Sequence, residues 1–81
     1  MTEKNEKTRS QLQAIRKHLR RYGKIDKPTA LRICECERLG ARIWDLRNDP
    51  LDPMDIRTEW RFMTNRFGHL VRYAIYFLND F

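Results

Sequence analysis

Three arginines, Arg38, Arg42 and Arg47, bracket the small pair Gly40-Ala41 in the run Arg38-Leu39-Gly40-Ala41-Arg42-Ile43-Trp44-Asp45-Leu46-Arg47. Guanidinium groups are planar forks that fit phosphate oxygens and the O6/N7 edge of guanine, and residues without bulk beside them let a backbone come close. The chemistry on offer is recognition of a duplex. Asp45 adds a carboxylate that could accept from a cytosine amino group, although holding a neighbouring arginine is the favoured of its two roles. Arg47 has the further option of pairing with Asp45 or Asp49. A second set, Asn65, Arg66 and His69, has the residue types to enter a minor groove or lie along phosphates; the alternative is a plain polar turn.

Spacing dictates what must hold these groups. Leu39, Ile43 and Leu46 recur at i, i+4 and i+7, so a helix over 38–48 buries them along one stripe and turns Arg38, Ala41 and Asp45 outward. Gly40 inside that helix costs about 1 kcal/mol relative to Ala, which points to selection for something other than helix stability. Trp44 lies at the border of the stripe. Packing beneath a neighbouring element is favoured there over stacking on a partner or joining a dimer.

Upstream, Ser10 and Gln13 fit a capping box, and Leu12, Ile15, Leu19 and Tyr22 follow at helical spacing until Gly23 supplies a stop. The opposite face of this first helix carries Arg16, Lys17, Arg20 and Arg21. Lys24-Ile25 allows only a strand stub. Asp26 then caps a second helix whose first turn tolerates Pro28, whose buried side is Ala30, Leu31 and Cys34, and which runs to about Cys34. Downstream, Asn48 to Asp55 holds two prolines and three aspartates and reads as a loop. Ile56, Thr58, Trp60 and Phe62 alternate with Arg57, Glu59 and Arg61, and Val71 to Leu78 alternates likewise, with Thr64 to His69 as the turn. Three helices and a two-stranded hairpin follow, an α+β chain in which Arg61 and Arg72 together extend a basic edge of the ribbon.

The net charge is +6, distributed as +7 over residues 1–32, −3 over 33–59 and +2 over 60–81. A polyanionic partner suits the total, while the acidic middle weakens any argument from total charge alone. One domain is expected at 10–81, behind a polar, mobile arm at 1–9. No apolar run is long enough to span a bilayer, and the expected location is the cytoplasm of a bacterial host cell. Cys34 and Cys36 are too close for an ordinary structural disulfide and read as reduced core thiols. With His18 and His69 they match no common zinc spacing, so no metal and no cofactor is expected. No glycine-rich phosphate loop, activated nucleophile or evident carboxylate pair argues for an enzyme.

At this point the sequence resembles the short phage-type and prophage-type helix-turn-helix proteins with a winged-helix domain. The resemblance rests on the run Arg38 to Arg47, on Asn65-Arg66-Phe67-Gly68, and on Val71-Arg72-Tyr73-Ala74-Ile75-Tyr76, and covers roughly residues 10–78. It implies a winged helix-turn-helix with residues 38–48 as recognition helix and 64–69 as wing tip. It further implies a DNA-binding regulator or accessory factor of a phage or mobile element, contacting DNA through Arg38, Gly40, Ala41, Arg42, Asp45, Arg47, Asn65, Arg66 and His69. Two positions depart from the pattern: Glu35 stands where the family usually has a turn glycine, and Glu37 where it usually has a hydroxyl residue capping the recognition helix. Expected partners are double-stranded DNA, a second copy of the chain, or a host protein. The last belongs to a competing reading, in which the acidic middle of the chain imitates a phosphate backbone and the domain inhibits a host nucleic-acid-handling complex.

Overall fold

The computed structural model describes residues 6–79 and 81. Three helices, α1 (Glu6–Tyr22), α2 (Lys27–Cys34) and α3 (Leu39–Arg47), accompany strands β1 (Lys24–Asp26), β2 (Ile56–Thr64) and β3 (Leu70–Leu78). The stripe on α3 faces inward as its spacing requires. Leu39, Ile43 and Leu46 are buried in one core with Ile15 and Leu19 of α1, Ile25 of β1, Ala30, Cys36, Met54 and Ile56.

The strand stub at Lys24 becomes a third strand, giving an antiparallel sheet of order β1-β3-β2. Ile25 sits opposite Tyr76, while β2 and β3 pair without interruption from Ile56 opposite Leu78 to Thr64 opposite Leu70. Because side chains alternate across a sheet, Ile56, Thr58, Trp60 and Phe62 share one face with Leu78, Tyr76, Ala74 and Arg72. Only the base of that face, at Ile56, Tyr76 and Leu78, packs on the core. The remainder of the hairpin projects from the helical body.

Local chemistry sets each boundary. Gly23 ends α1 at φ +81, donates its amide to Leu19 O at 2.8 Å, and accepts at its own carbonyl from Leu78 N at 2.9 Å, which ties the helix stop to the sheet. Asp26 caps α2 by accepting from Thr29 N at 3.0 Å, ahead of Pro28 in the first turn. At the other end of α2, Glu35 adopts φ 53 and ψ 34, and its amide closes the helix on Ala30 and Leu31 carbonyls. This left-handed corner is the turn between α2 and α3, and it explains why glycine is the usual residue there.

The loop after α3 is a strap. Arg16 reaches Asp49 at 2.9 Å and Asp52 at 2.8 Å, and Arg20 reaches Asp52 at 2.6 Å, so two arginines of α1 hold the loop's aspartates down. Asp49 also accepts from the amides of Leu51 and Asp52, and Met54 N donates to Leu46 O at 3.0 Å.

Several sequence expectations are corrected. Helix α1 is already formed at Glu6, so Ser10 lies within it and is not its cap; residues 1–5 of the expected arm lie outside the described residues. Tyr22 is 55% exposed and stacks beside His18 instead of entering the core, because the buried stripe of α1 is Gln11, Ile15 and Leu19. Gln11 is accommodated by aiming its amide at the Cys34 and Glu35 carbonyls, 3.4 and 3.5 Å away. Leu31 is likewise exposed, since α2 turns Ala30 inward and packs Ile33 and Cys34 at the margin.

Glu35→Gly relieves a side chain held in the left-handed region, a conformation costing about 1–2 kcal/mol for an ordinary residue, part of which the greater freedom of unfolded glycine offsets. Urea unfolding is expected to show a gain of about 0.5–1 kcal/mol, and Glu35→Ala, which stays chiral, is expected to give no comparable gain.

Candidate nucleic-acid interface

Helix α3 divides its polar residues between α1, the sheet and an open side. On the side toward α1, Arg42 donates its Nε to Asp45 at 3.1 Å and an Nη to Thr8 at 3.4 Å, and both members of the ion pair are largely covered. Asp45 thus takes the arginine-holding role. On the side toward the sheet, Arg47 donates Nε to Ile56 O at 2.9 Å and Nη2 to Thr58 Oγ1 at 2.8 Å, fastening the end of α3 to β2. These bonds to β2 replace the expected pairing with Asp45 or Asp49, because Arg47 projects from the flank of α3 that faces the hairpin.

What remains outward on α3 is a short, nearly neutral surface with one cation at its start. Trp44 is 63% exposed, against the expectation that it would pack beneath the hairpin: a residue one step past Ile43 is rotated by about 100° from the buried stripe. Ala41 is half-buried and Gly40 is exposed; a Cβ added to Gly40 would meet Tyr76 Oη at 3.5 Å, an ordinary contact. Arg38 is exposed at the helix start, which has no side-chain cap.

At the hairpin tip, Asn65 is a structural residue. Its Oδ1 accepts from Phe67 N and His69 N, both at 3.0 Å, shaping a turn in which Gly68 takes φ +80. Arg66 and His69 remain exposed, with Arg66 leaning toward the Phe67 ring. Arg61 and Arg72 do not form one basic edge. Arg61 pairs across the strands with Tyr73 and Arg72 with Phe62, so they leave opposite faces of the ribbon. Arg61 is held with Arg57 by Glu59, whose carboxyl these two donors hold below the usual carboxylate range. Arg72 instead lies over the Trp60 ring, 4.2 Å from its centre.

A groove of about 350 Å³ runs between the start of α3 and the hairpin. Lys27, Arg38 and Arg72 line it together with Gly40, Trp60 and Tyr76, and Asp26 and Glu37 are also on its walls. Three cations from three elements therefore converge beside the first turn of α3. A helix that follows α2 across the left-handed corner at Glu35, with a β-hairpin alongside it, is the arrangement in which a helix enters a groove while a ribbon meets the flanking backbone.

The sequence profile of a winged helix-turn-helix domain matches residues 10–81. The chain belongs to this family. No curated protein and no solved structure matches it significantly. Winged helix-turn-helix domains are typically DNA-binding modules without catalytic function, with α3 in the place of the recognition helix and the β2-β3 hairpin in that of the wing. Of the nine residues selected from sequence, Arg38, Gly40 and Ala41 lie at or near the open side of the recognition helix, and Arg66 and His69 at the wing tip. Arg42, Asp45, Arg47 and Asn65 are engaged within the fold. Sequence reasoning left out Lys27 and the placement of Arg72. Lys27 had a signal, being the residue between the Asp26 cap and Pro28, where the second helix of a helix-turn-helix begins.

The two thiols stay apart from this surface. Cys36 is buried, and Cys34 is half-buried with its Sγ donating to Ala30 O at 3.4 Å. Burial pushes the Cys34 thiol pKa up, which keeps it protonated and poorly nucleophilic at neutral pH.

The division among the arginines is measurable as stability. Arg47→Ala removes two charge-assisted bonds between α3 and β2 and is expected to cost about 1–3 kcal/mol in thermal or urea unfolding, whereas Arg38→Ala is expected to change it by less than about 0.5 kcal/mol. Gly40→Ala is expected to stabilise the recognition helix by about 0.5–1 kcal/mol, since the added methyl meets no clash.

Proposed function

We propose that this domain is a non-enzymatic DNA-binding regulator or accessory factor of a phage or mobile element, acting in the cytoplasm of a bacterial host cell. The recognition helix enters the major groove by its N-terminal half, where Gly40 and Ala41 approach the base edges, Arg38 meets the phosphate run and Trp44 borders the contact. The wing lies on the flanking backbone through Arg66 and His69. The observation that carries this reading is the convergence of Lys27, Arg38 and Arg72 on one groove beside the uncapped start of α3. Cations held by three different elements around a helix N-terminus match the geometry of a phosphate run passing between helix and wing.

The competing reading, a protein-binding inhibitor that imitates a phosphate backbone with its acidic middle, draws less support from the fold. Asp49 and Asp52 are neutralised by Arg16 and Arg20, Asp45 by Arg42, and Glu59 by Arg57 and Arg61. The four acids paired at these distances present little of the bare negative charge that mimicry requires, which leaves Glu35, Glu37 and Asp55 as the acids of this segment outside an ion pair among the described residues.

A mobility shift on random duplex DNA at low salt tests the reading. Binding is expected at micromolar protein and is expected to fall steeply with salt, as phosphate contacts release counterions. Lys27→Ala, Arg38→Ala and Arg72→Ala are each expected to weaken binding and to lower the magnitude of the logarithmic salt slope by about 1. Arg42→Ala is expected to leave that slope unchanged. No shift by the wild-type chain at about 50 µM with an intact fold would refute DNA binding and favour the protein-partner reading.

A further inference from the structure

The outer strand of the sheet carries a backbone edge that the DNA-binding reading does not use, although its Trp60 also lines the groove beside α3. In the order β1-β3-β2, one edge of β2 has no neighbouring strand among the described residues. The direction of its backbone groups follows from the bonds that bracket the ladder. Asn79 N donates to Asp55 O and Asn65 N to His69 O, so odd-numbered residues of this segment turn their backbone toward β3. Ile56, Thr58, Trp60, Phe62 and Thr64 therefore turn theirs outward. Arg47 occupies the first of these carbonyls, Ile56 O, at 2.9 Å. From Thr58 to Thr64 no other described residue pairs with the edge.

Open edges are ordinarily defended by shortness, proline, a bulge, a twist or charged side chains, and β2 carries charges at Arg57, Glu59 and Arg61. Strand β2 is nine residues long, contains no proline, and pairs with β3 in unbroken register. Trp60 and Phe62 are 54% and 62% exposed, and Met63 is also exposed. The charges along the edge alternate as Arg57, Glu59, Arg61, and that alternation is the decisive feature.

We propose that a second copy of this chain pairs antiparallel with the β2 edge about a two-fold axis at Trp60, forming a continuous six-stranded sheet. In that register Glu59 of each copy faces Arg61 of the other, Trp60 faces Trp60, and Thr58 faces Phe62. The inner pairings, Thr58 with Phe62 in both directions and Trp60 with Trp60, join outward-turned groups and give about six new ladder bonds, while Arg47 curtails the outermost pairings of Ile56 with Thr64. Neighbouring registers fail. Moving the axis to Glu59 sets Glu59 on Glu59 and Arg57 on Arg61; moving it to Arg61 sets Arg61 on Arg61. An axis at Thr58 matches Arg57 with Glu59 but sets Ile56, whose carbonyl Arg47 fills, against Trp60 next to the axis, leaving only the Thr58 pairing intact, whereas the axis at Trp60 meets Ile56 only at the end of the ladder, opposite Thr64. An axis at Phe62 offers no ion pair at all. Charge and backbone direction together select a single arrangement, in which the Glu59–Arg61 contact within one strand, 3.1 Å, is exchanged for the same contact between copies.

Association is independent of DNA, and sedimentation velocity on the full chain without DNA tests it. The wild-type chain, 9.9 kDa, is expected to sediment as a dimer at tens of micromolar. Arg61→Glu, which faces Glu59 with a second glutamate, is expected to raise the dimer dissociation constant at least about tenfold. The exchange Glu59→Arg with Arg61→Glu restores opposite charges across the axis and is expected to recover the dimer. A wild-type chain monomeric at about 200 µM, a dimer indifferent to Arg61→Glu, or a folded double variant that stays monomeric would each overturn the proposal. Circular dichroism establishes folding in every case, and the double variant decides the matter if the single one fails to fold.

Discussion

The burial of Leu39, Ile43 and Leu46 is the constraint from which the rest of the domain follows. These three side chains share a core with Ile15 and Leu19 of α1 and Ile25 and Ile56 of the sheet, so rotating α3 about its axis would expose several buried aliphatic groups at about 1.5–3 kcal/mol each. With the stripe fixed, every other position on α3 has its direction assigned. Arg42 falls toward α1, Arg47 toward β2, and Gly40, Trp44 and Arg38 toward the open side. A core this small tolerates no second orientation of the helix.

The arginines divide into those that build and those that remain available. Arg16 and Arg20 close the proline-containing loop onto α1, Arg42 is locked by Asp45, and Arg47 joins helix to sheet. The net charge of the chain therefore overstates what a partner would meet on the helical body, because much of it is spent against aspartates at short range. What is left for a polyanion lies at the groove between α3 and the wing, at the wing tip, and on the exposed Lys7, Arg9, Lys17, Arg21, Lys24 and Arg32 of α1, β1 and α2. Surface ion pairs of this kind contribute little stability individually, but a strap held by two arginines and two aspartates forms a network, where geometry is better maintained.

Much of the fold was legible because it rests on periodicity. The i, i+4, i+7 spacing of Leu39, Ile43 and Leu46, the Asp26-Lys27-Pro28 helix start and the alternation from Ile56 to Phe62 each encode an element directly, and the departure at Glu35 marks the left-handed corner that the structure contains. Legibility ended where an outcome depended on long-range partners. Arg47 could not be assigned to Ile56 and Thr58 without knowing that β2 returns beside α3. Arg61 and Arg72 read as one basic edge until register placed them on opposite faces, and Trp44 stood on a boundary that only the true tilt of the helix resolves. The β1 strand was likewise invisible as a sheet member, since three residues acquire that role only through Tyr76 and its neighbours. Of the candidate site, the residues that need no tertiary information, Arg38 at a helix start and Arg66 at a turn, were placed most securely.

The hairpin is a cantilever. It is seated on the body at Ile56, Tyr76 and Leu78, and the Arg47 bonds to Ile56 and Thr58 act as its bracket. From Thr58 to Thr64 the strand extends about 20 Å beyond that seat, so a rotation of about 5° at the base carries the tip through about 2 Å, the difference between a hydrogen bond and none. The aim of Arg66 and His69 is thus set far from where they act, by a guanidinium at the end of the neighbouring helix, and any load borne at the tip is transmitted as torque to α3 itself.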